Sequence, residues 1–361
     1  MPRIETLHDL ITDLEGKSAA VASMSLAKRL PDSQLGEEVG VFANRDGEKA
    51  LVLNAVDYLI NTCSFDQKRV KAMIQGVLNE NNFLGSVTEL ATYGWLQRHS
   101  LYFEPQVKFD HPAVLNPNGC ELDGVLLAYD TGFDIKTLGL GLYLMEKLIR
   151  YFAGSTPPLK VGVNGRVDVD VKTVQKDALG NLGSIEAELR AGANVKIPSL
   201  NWTIFQKKTG GVQTFYRTWG PYRQAQELRY FPFKQAAQFT TSRPFMLILS
   251  YFPRLNPFLS ENRAGYGEAF FRSLARRAFI QADEDRTPVS DHDDRVRVMS
   301  VGQASRLLSA LMFVDLESER YHVFFNPRAR NRIFPPIEDF VANSHPITDL
   351  ASYDDFRYDN Y

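Results

Sequence analysis

The sequence is poor in cysteine, and the two cysteines that it contains are far apart. Cys63 and Cys120 have no companion cysteine and no close pair of histidines. A disulfide framework needs several cysteines, and a structural zinc site needs cysteine or histidine ligands at short spacing. The composition therefore argues against both, and the two thiols are expected to be ordinary buried or half-buried side chains.

Long apolar runs are also missing from the sequence. No stretch of about 18 uncharged apolar residues occurs, which argues against a membrane-spanning segment. The first residues, Met1 to Thr6, lack the apolar run of a signal peptide. The sequence therefore predicts a cytoplasmic protein with no membrane association. Its 361 residues are enough for two or three domains with sizeable cores.

The chain has no overall excess of basic residues. Its formal net charge is -2, so it does not show the basic balance that is typical of nucleic-acid-binding proteins. Steering of a charged ligand depends on where the charges lie, however, and basic residues are clustered. The residues predicted to contact nucleic acid are Lys207, Lys208, Arg328, Arg330 and Arg332. A solvated basic loop is an equally good interpretation of residues 328–332.

Helical periodicity dominates the first part of the chain. Apolar residues recur at helical spacing within 4–14, 51–60 and 70–77, and Asp66 is the predicted N-cap of the third segment. Another helix is predicted over 87–101, with Ser86 as its N-cap and Glu89 in the acidic position of a capping box. Taken alone, Glu89 is more typical of a capping residue than of a catalytic one.

The pattern then changes to the period of strands. Strands are predicted over 102–109, 121–129 and 132–137, and the last two form a hairpin across the turn signal at 130–132. No prediction is made for 180–220. The remaining predicted elements are a helix over 138–152, a strand pair over 159–173, a helix over 222–239, a buried central strand over 243–252, helices over 265–282 and 303–311, and a hairpin of 312–316 with 321–326.

Four chemically active residues lie on these elements in a fixed order. Glu89 is on a helix, Asp123 is on the second following strand, and Asp134-Ile135-Lys136 is on the third. This order resembles the PD-(D/E)XK nuclease superfamily, whose core runs helix, three-stranded meander, helix and further strand. In that family an acid lies on the first helix, an Asp on the second strand and (D/E)-x-K on the third. The resemblance covers residues 82 to about 155 and extends toward the buried strand that ends near 252.

The resemblance implies a fold of the α+β class. An α/β/α nuclease core, with a mixed central sheet flanked by helices, would occupy 81–255 and carry an insertion around 160–220. A helical region would precede it over 1–80, and a C-terminal extension of helix and hairpin would follow over 256–361.

The resemblance also implies a metal-dependent endonuclease that hydrolyses DNA, with RNA as an alternative substrate. A restriction or anti-phage defence system is the implied setting, and a companion ATPase or defence-system subunit is an implied partner. A homodimer is also expected, because two active sites are needed to cut both strands in one encounter.

The chemistry explains why these residue types belong together. Cleavage of a phosphodiester adds negative charge to a phosphate, and a hard divalent cation such as Mg²⁺ or Mn²⁺ held by carboxylates stabilises it. Asp123 and Asp134 are the predicted direct ligands, and Glu89 would reach the metal directly or through a water. Lys136 is predicted to share a strand face with Asp134, where it could orient or deprotonate the attacking water and offset developing charge.

The position of the turn tests this prediction. A turn centred on Asp130 and Thr131 would pair Asp123 with residue 138, on the correct face but on the order of 13 Å from residue 134 along the strand. A bulge, or an earlier turn near Ala128 and Tyr129, would place the two carboxylates opposite each other. The prediction therefore requires a distorted or early-turning hairpin.

A second acidic pattern offers a rival site. The alternating segment 168–172 places Asp168, Asp170 and Lys172 on one face of a predicted strand. It could be a second metal-binding strand or the DxD motif of a nucleotide-sugar transferase. An amphipathic strand with a solvated face is favoured, because no third acid precedes it at a suitable distance.

Two further functions remain as alternatives to the nuclease. One is a catalytically inactive subunit with the same fold that binds nucleic acid or acts as a scaffold. The other is the nucleotide-sugar transferase.

Overall fold

A computed structural model describes residues 4–24, 26, 37–79, 83–165, 169, 171–207, 221–256, 259 and 265–333 of the chain. The protein divides into two compact units. The first comprises Met1–Thr137, Pro221–Phe252 and Gly265–Tyr361, and the second comprises Leu138–Gly220 and Pro253–Ala264. No helix in the described ranges combines the length and the apolar character needed to cross a membrane.

The helices are numbered along the chain and are mostly short. They are α1 (Ile4–Lys17), α2 (Ala19–Ser23), α3 (Glu37–Ala43), α4 (Asp46–Asp57), α5 (Gln67–Val77), α6 (Phe83–Arg98), α7 (Leu140–Ala153), α8 (Val171–Asp177), α9 (Leu182–Arg190), α10 (Pro221–Glu227), α11 (Tyr266–Arg276) and α12 (Val301–Ser305). Single π-helical turns extend α4 over Tyr58–Thr62 and α11 over Arg277–Gln281. A 3₁₀ segment covers Phe231–Gln238.

The strands form one large sheet and one small one. They are β1 (Phe103–Phe109), β2 (Cys120–Leu126), β3 (Thr131–Thr137), β4 (Val161–Asn164), β5 (Val195–Ile197), β6 (Trp202–Gln206), β7 (Phe245–Tyr251), β8 (Leu308–Asp315) and β9 (Tyr321–Phe325). The large sheet has the order β1-β2-β3-β7-β8-β9. Its β3–β7 and β7–β8 pairs are parallel and the other pairs are antiparallel. The predicted α+β class with a mixed central sheet flanked by helices is confirmed.

Helices cover both faces of the large sheet. The hydroxyl of Thr92 on α6 lies 2.7 Å from that of Ser250 on β7. The ring of Phe271 on α11 lies 5.5 Å from the ring of the next strand residue, Tyr251. Because successive side chains of a strand point to opposite faces, α6 and α11 lie on opposite sides of the sheet.

The helical character predicted for the first 80 residues is confirmed in the part that the structure describes, and Asp66 is the N-cap of α5. The predicted start of the next helix is wrong, since α6 begins at Phe83 rather than Val87. Phe83 and Leu84 are buried in the core, so the helix extends over them to place them there. Glu89 therefore lies inside the helix and is not a capping residue.

Helix α6 crosses α4 in very close contact at Gly94. A Cβ atom on this glycine would lie 1.8 Å from the carbonyl oxygen of Leu51. The absence of a side chain at this position lets the two backbones touch. This contact holds the N-terminal helices against the helix that carries Glu89.

In the C-terminal part, the predicted central strand and hairpin are confirmed and one predicted helix is partly wrong. β7 lies within the predicted span 243–252 and is buried throughout, and the predicted hairpin is β8 with β9 of the same sheet. The helix predicted over 303–311 is wrong beyond α12, because β8 begins at Leu308. Every residue of β8 is buried, and such a continuous apolar run has no alternation to distinguish it from a buried helix.

The second unit contains α7, α8, α9 and a small antiparallel sheet of order β4-β6-β5. Helix α7 agrees with the prediction for 138–152. The strand pair predicted over 159–173 is wrong in its second half, because β4 pairs with β6 and residues 171–177 form α8. Val174 and Ala178 are both fully buried four residues apart, which is the spacing of one helix face.

Candidate active site

The β2–β3 hairpin turns earlier than its strongest turn signal indicates. A short 3₁₀ turn covers Leu127–Tyr129, and Asp130 follows with a positive φ of 45°. The resulting pairs are Leu126 with Thr131, Val125 with Gly132 and Gly124 with Phe133. This is the early turn that the prediction required. Extended by one residue, its register would place Asp123 opposite Asp134, although the ladder itself ends at Gly124 and Phe133.

The two strands separate immediately after these pairs. Beyond Gly124 and Phe133, β2 continues to pair with β1 only, and β3 with β7 only. Asp123 fills the gap, because its Oδ2 accepts a hydrogen bond of 2.6 Å from the backbone N–H of Ile135. The side chain thus replaces a missing strand partner and is fixed at the opening between β2 and β3.

Asp134 forms the floor of this opening. Its side chain is fully buried, and its Oδ2 lies 2.5 Å from Nζ of Lys136. Its Oδ1 accepts a hydrogen bond of 3.1 Å from Nε2 of Gln238. Oδ2 accepts no further hydrogen bond within the described part of the chain. The contact between the side chains of Asp134 and Lys136 places both on one face of β3, and Ile135 between them is buried.

Glu89 reaches the same cluster from α6. Its Oε1 lies 3.2 Å from the hydroxyl of Tyr93 and accepts a hydrogen bond of 3.2 Å from Nε2 of Gln106. The Tyr93 hydroxyl donates its shorter bond, 2.6 Å, to the backbone carbonyl of Asp123. Tyr93 therefore connects the helix to β2, and Gln106 connects it to β1.

The local backbone of β1 is distorted where it provides this contact. Gln106 has a positive φ of 49°, and the ladder to β2 has no pair at this residue, although Pro105 and Val107 on either side are paired. A left-handed backbone is unusual for a residue with a side chain and costs free energy. The strand bends out of its regular path at the point where the amide donates to Glu89.

Burial has the largest effect on the pKa values of the cluster, and the repulsion between its acids adds to it. Burial, and then the charge of Asp134, raise the pKa of the Asp123 carboxyl well above its ordinary value. Burial also raises the pKa of Glu89, against the hydrogen bonds from Gln106 and Tyr93 that lower it. Burial alone would lower the pKa of Lys136, but the nearby carboxylates outweigh it and raise that pKa. One ammonium group therefore does not offset three carboxylates.

The donor set fits a hard divalent cation in its chemistry. Carboxylate oxygens are the ligands that Mg²⁺ and Mn²⁺ prefer, and a cation would relieve the repulsion between the buried acids. The ligands are not already arranged around one point, since no group of three His, Cys, Asp or Glu at metal-binding spacing occurs in the described ranges. Lys136 pairs with the Asp134 oxygen, and its side chain is 28% exposed.

The predicted nucleic-acid contacts lie in different surroundings. Lys207 is exposed at the end of β6 in the second unit, and Lys208 lies outside the described residues. Arg328 forms an ion pair of 2.6 Å with Asp283, so its charge is already engaged. Arg330 and Arg332 are exposed, and the guanidinium of Arg332 donates to the carbonyl of Pro327.

Asp168 and Asp170, the two acids of the rival pattern, lie outside the described residues. Lys172 belongs to helix α8 and not to the predicted strand.

Three residues of the cluster were missed by the sequence analysis. Tyr93 lies four residues after Glu89, one helical turn away on the same face, and this spacing could have identified it. Gln106 depends on a local backbone distortion, and Gln238 is contributed by a distant segment. No signal in the sequence indicates either contact.

Comparison of the chain with family models, with curated proteins and with solved structures finds no match in any of the three.

Proposed function

We propose that this protein is a metal-dependent endonuclease that hydrolyses phosphodiester bonds of DNA. The observation that carries the proposal is the convergence of Glu89, Asp123, Asp134 and Lys136 at the opening between β2 and β3. Three carboxylates from distant parts of the chain lie together here. Because clustered buried acids destabilise the fold, such clusters are usually found where the charges have a function.

Each residue has a role that follows from its position. Asp123, Asp134 and Glu89 would hold Mg²⁺ or Mn²⁺, which when bound stabilises the negative charge that develops on the phosphate. Lys136 provides a cation beside Asp134 that can orient the attacking water and offset developing charge. Gln238 fixes Asp134, while Gln106 and Tyr93 fix Glu89, so the acids are held in place by neutral groups.

The resemblance to PD-(D/E)XK nucleases supports the same assignment. The sequence order of Glu89, Asp123 and Asp134-Ile135-Lys136 carries that resemblance, and α6, β1, β2, β3 and α7 follow one another in the corresponding order. A defence or restriction setting and a companion ATPase are proposed on this resemblance alone, and a homodimer on the need for two active sites to cut both strands.

A catalytically inactive relative with the same fold is the second candidate. The ion pair between Lys136 and Asp134 and the absence of a ready-made set of three ligands in the described ranges favour it. In that case the cluster would bind no metal, and the protein would bind nucleic acid or act as a scaffold without cleaving it.

The test is cleavage of plasmid DNA with Mg²⁺ or Mn²⁺. Asp134→Asn and Lys136→Ala should each lower the rate by at least about a hundredfold, because one removes a ligand and the other the cation beside it. Asp130→Asn, on the exposed turn of the same hairpin, and Lys108→Ala, on the exposed side of β1, are matched controls that should cleave normally. Undiminished cleavage by either site variant would refute the assignment. A parallel panel of duplex DNA, single-stranded DNA and RNA defines the substrate.

A further inference from the structure

An ion pair joins the first turn of α5 to the start of β2. Nη2 of Arg69 lies 2.5 Å from Oε1 of Glu121, and the two side chains are 40% and 31% exposed. The guanidinium of Arg69 also lies over the ring of Phe65, with 5.0 Å between its central carbon and the ring centroid. The carboxylate and the ring together hold this cation in one position.

The ion pair lies beside the acidic cluster. Glu121 precedes Asp123 by two residues on β2, so their side chains point to the same face of the strand, and Leu122 between them is buried. At a rise of about 3.3 Å per residue, the two positions are roughly 7 Å apart along the strand. Helix α5 also reaches the cluster through Met73, whose sulfur lies 4.0 Å from Nε2 of Gln106. The guanidinium is therefore close to the proposed metal ligands without being one of their partners.

Most of the hydrogen-bonding capacity of Arg69 is unused. A guanidinium has five N–H groups, and within the described part of the chain Arg69 donates only from Nη2. An ion pair between partly exposed side chains contributes little to stability, so Glu121 can be displaced at small cost. In contrast, the carboxylate of Asp283, which holds Arg328, is only 8% exposed. A second anion can therefore replace Glu121 at Arg69 or bind beside it.

A nucleic-acid strand carries anions at a matching spacing. Consecutive nucleotides of one strand advance by about 3.4 Å along the helix axis, so roughly 7 Å corresponds to about two nucleotides. Arginine binds phosphate oxygens through parallel N–H groups, and such contacts fix the position of a strand without reading its sequence. With one phosphate at the acidic cluster, another phosphate of the same strand would lie within reach of Arg69.

We propose that Arg69 binds a backbone phosphate of the substrate about two nucleotides from the bond that is cleaved, and that Glu121 holds the guanidinium until this phosphate displaces it. The inference rests on the proposed nuclease function and narrows its substrate class. The contact requires a polynucleotide with phosphates on both sides of the cleaved bond. A dinucleotide, which has a single phosphodiester, cannot make it.

The test measures the affinity of the full chain for a short fluorescent DNA duplex by anisotropy in EDTA, and the KM for its cleavage with Mg²⁺. Arg69→Ala should weaken binding and raise KM by about tenfold, the factor expected for one lost hydrogen bond to a charged group. It should leave kcat nearly unchanged, because the contact is made equally in the bound substrate and in the transition state. The wild type and Arg69→Ala should cleave a dinucleotide at equal rates.

Glu121→Gln should change the affinity in the opposite direction. It removes the competitor of the phosphate, so binding should become tighter by up to about fivefold, the limit set by the strength of an exposed ion pair. In the double variant of Arg69→Ala with Glu121→Gln this gain should disappear, because no guanidinium remains to be released. Arg272→Ala and Glu268→Gln each break an exposed ion pair on α11 and are the matched controls that should bind normally.

Two results would overturn the inference and leave the catalytic proposal standing. One is an Arg69→Ala variant with the affinity and the KM of the wild type. The other is a gain from Glu121→Gln that persists in the double variant, since it would show a general effect of charge and not the release of Arg69. A wild type that binds DNA through Arg69 but does not cleave it with Mg²⁺ would remove the catalytic proposal and keep the contact. A wild type that neither binds nor cleaves DNA would overturn both.

Discussion

Glu89 is held by two neutral hydrogen-bond donors, Gln106 and Tyr93, and lies close enough to Asp134 for the two charges to repel. A residue in such surroundings is expected to cost stability and to be retained for function. Its position inside α6 removes the alternative explanation that it caps the helix.

The Glu89→Gln variant separates the effect of this carboxylate on stability from its effect on cleavage. The amide keeps an acceptor for Gln106 and removes one negative charge, so the unfolding temperature in EDTA should stay the same or rise. Metal-dependent cleavage should fall by about a hundredfold, since a ligand of the cation is lost. Thermal unfolding by circular dichroism and the plasmid assay measure the two effects.

Glu104→Gln is the matched control for this variant. Glu104 is an exposed acid on β1, and its replacement should change neither quantity. A fall of several degrees in the unfolding temperature of Glu89→Gln would show that the carboxylate stabilises the fold and would contradict the argument.

The residues of the cluster were predictable to different degrees. Asp134 and Lys136 lie two apart on one strand, and the period of a strand fixes their common face. Asp123 depended on where the hairpin turns, and the competing signals at 128–131 could not decide this from sequence. Gln238 could not be predicted, because its contact with Asp134 forms only when a segment about 100 residues away packs beneath β3.

Among the contacts between secondary-structure elements, the crossing of α4 and α6 leads to the most specific prediction. Gly94→Ala would drive a methyl group into the backbone of Leu51, and helices in a packed core cannot separate without losing other contacts. The free energy of unfolding should fall by about 1–3 kcal/mol or more, the range for overpacked cores. Urea unfolding measures it.

Gly85→Ala provides the control on the same helix. No atom lies within 4 Å of a Cβ atom at Gly85, so alanine should leave stability unchanged or raise it slightly through its better helix propensity. Equal effects of the two substitutions would show that the close helix crossing is not the cause.

Most elements of the large sheet could be predicted, and the errors have a common origin. The meander of β1, β2 and β3 was predicted from its strand-forming residues and turn signals, although the turn between β2 and β3 comes earlier than the strongest signal. Residues 308–311 were assigned to a helix because a strand that is buried on both faces has no alternation. Residues 171–173 were assigned to a strand because a few alternating valines precede a helix whose buried face shows only at Val174 and Ala178.

At the scale of the whole molecule, metal binding should appear as stability. A ligand that binds only the folded protein stabilises it by about 2.7 kcal/mol at a concentration of 100 times Kd. Mn²⁺ or Mg²⁺ should therefore raise the unfolding temperature of the wild-type protein by several degrees. Asp134→Asn should show no such increase, while Asp130→Asn should match the wild type.

The same measurement distinguishes the two candidate functions. An inactive scaffold would show no stabilisation by either ion and no heat of metal binding by calorimetry, even with DNA present. That result would remove the catalytic proposal.

The separation of β3 and β7 along the chain has a consequence for synthesis on the ribosome. These strands are neighbours in the sheet, yet most of the second unit and further helical segments lie between them in sequence. At about 5–20 residues per second, the roughly 100 intervening residues take on the order of 5–20 s to make. During that time the nascent β3 has an unpaired edge, and Asp134 and Lys136 on that strand are the kind of charged residues that discourage edge-to-edge aggregation. The charges proposed for catalysis are thus of the kind that would also disfavour aggregation before the sheet is complete.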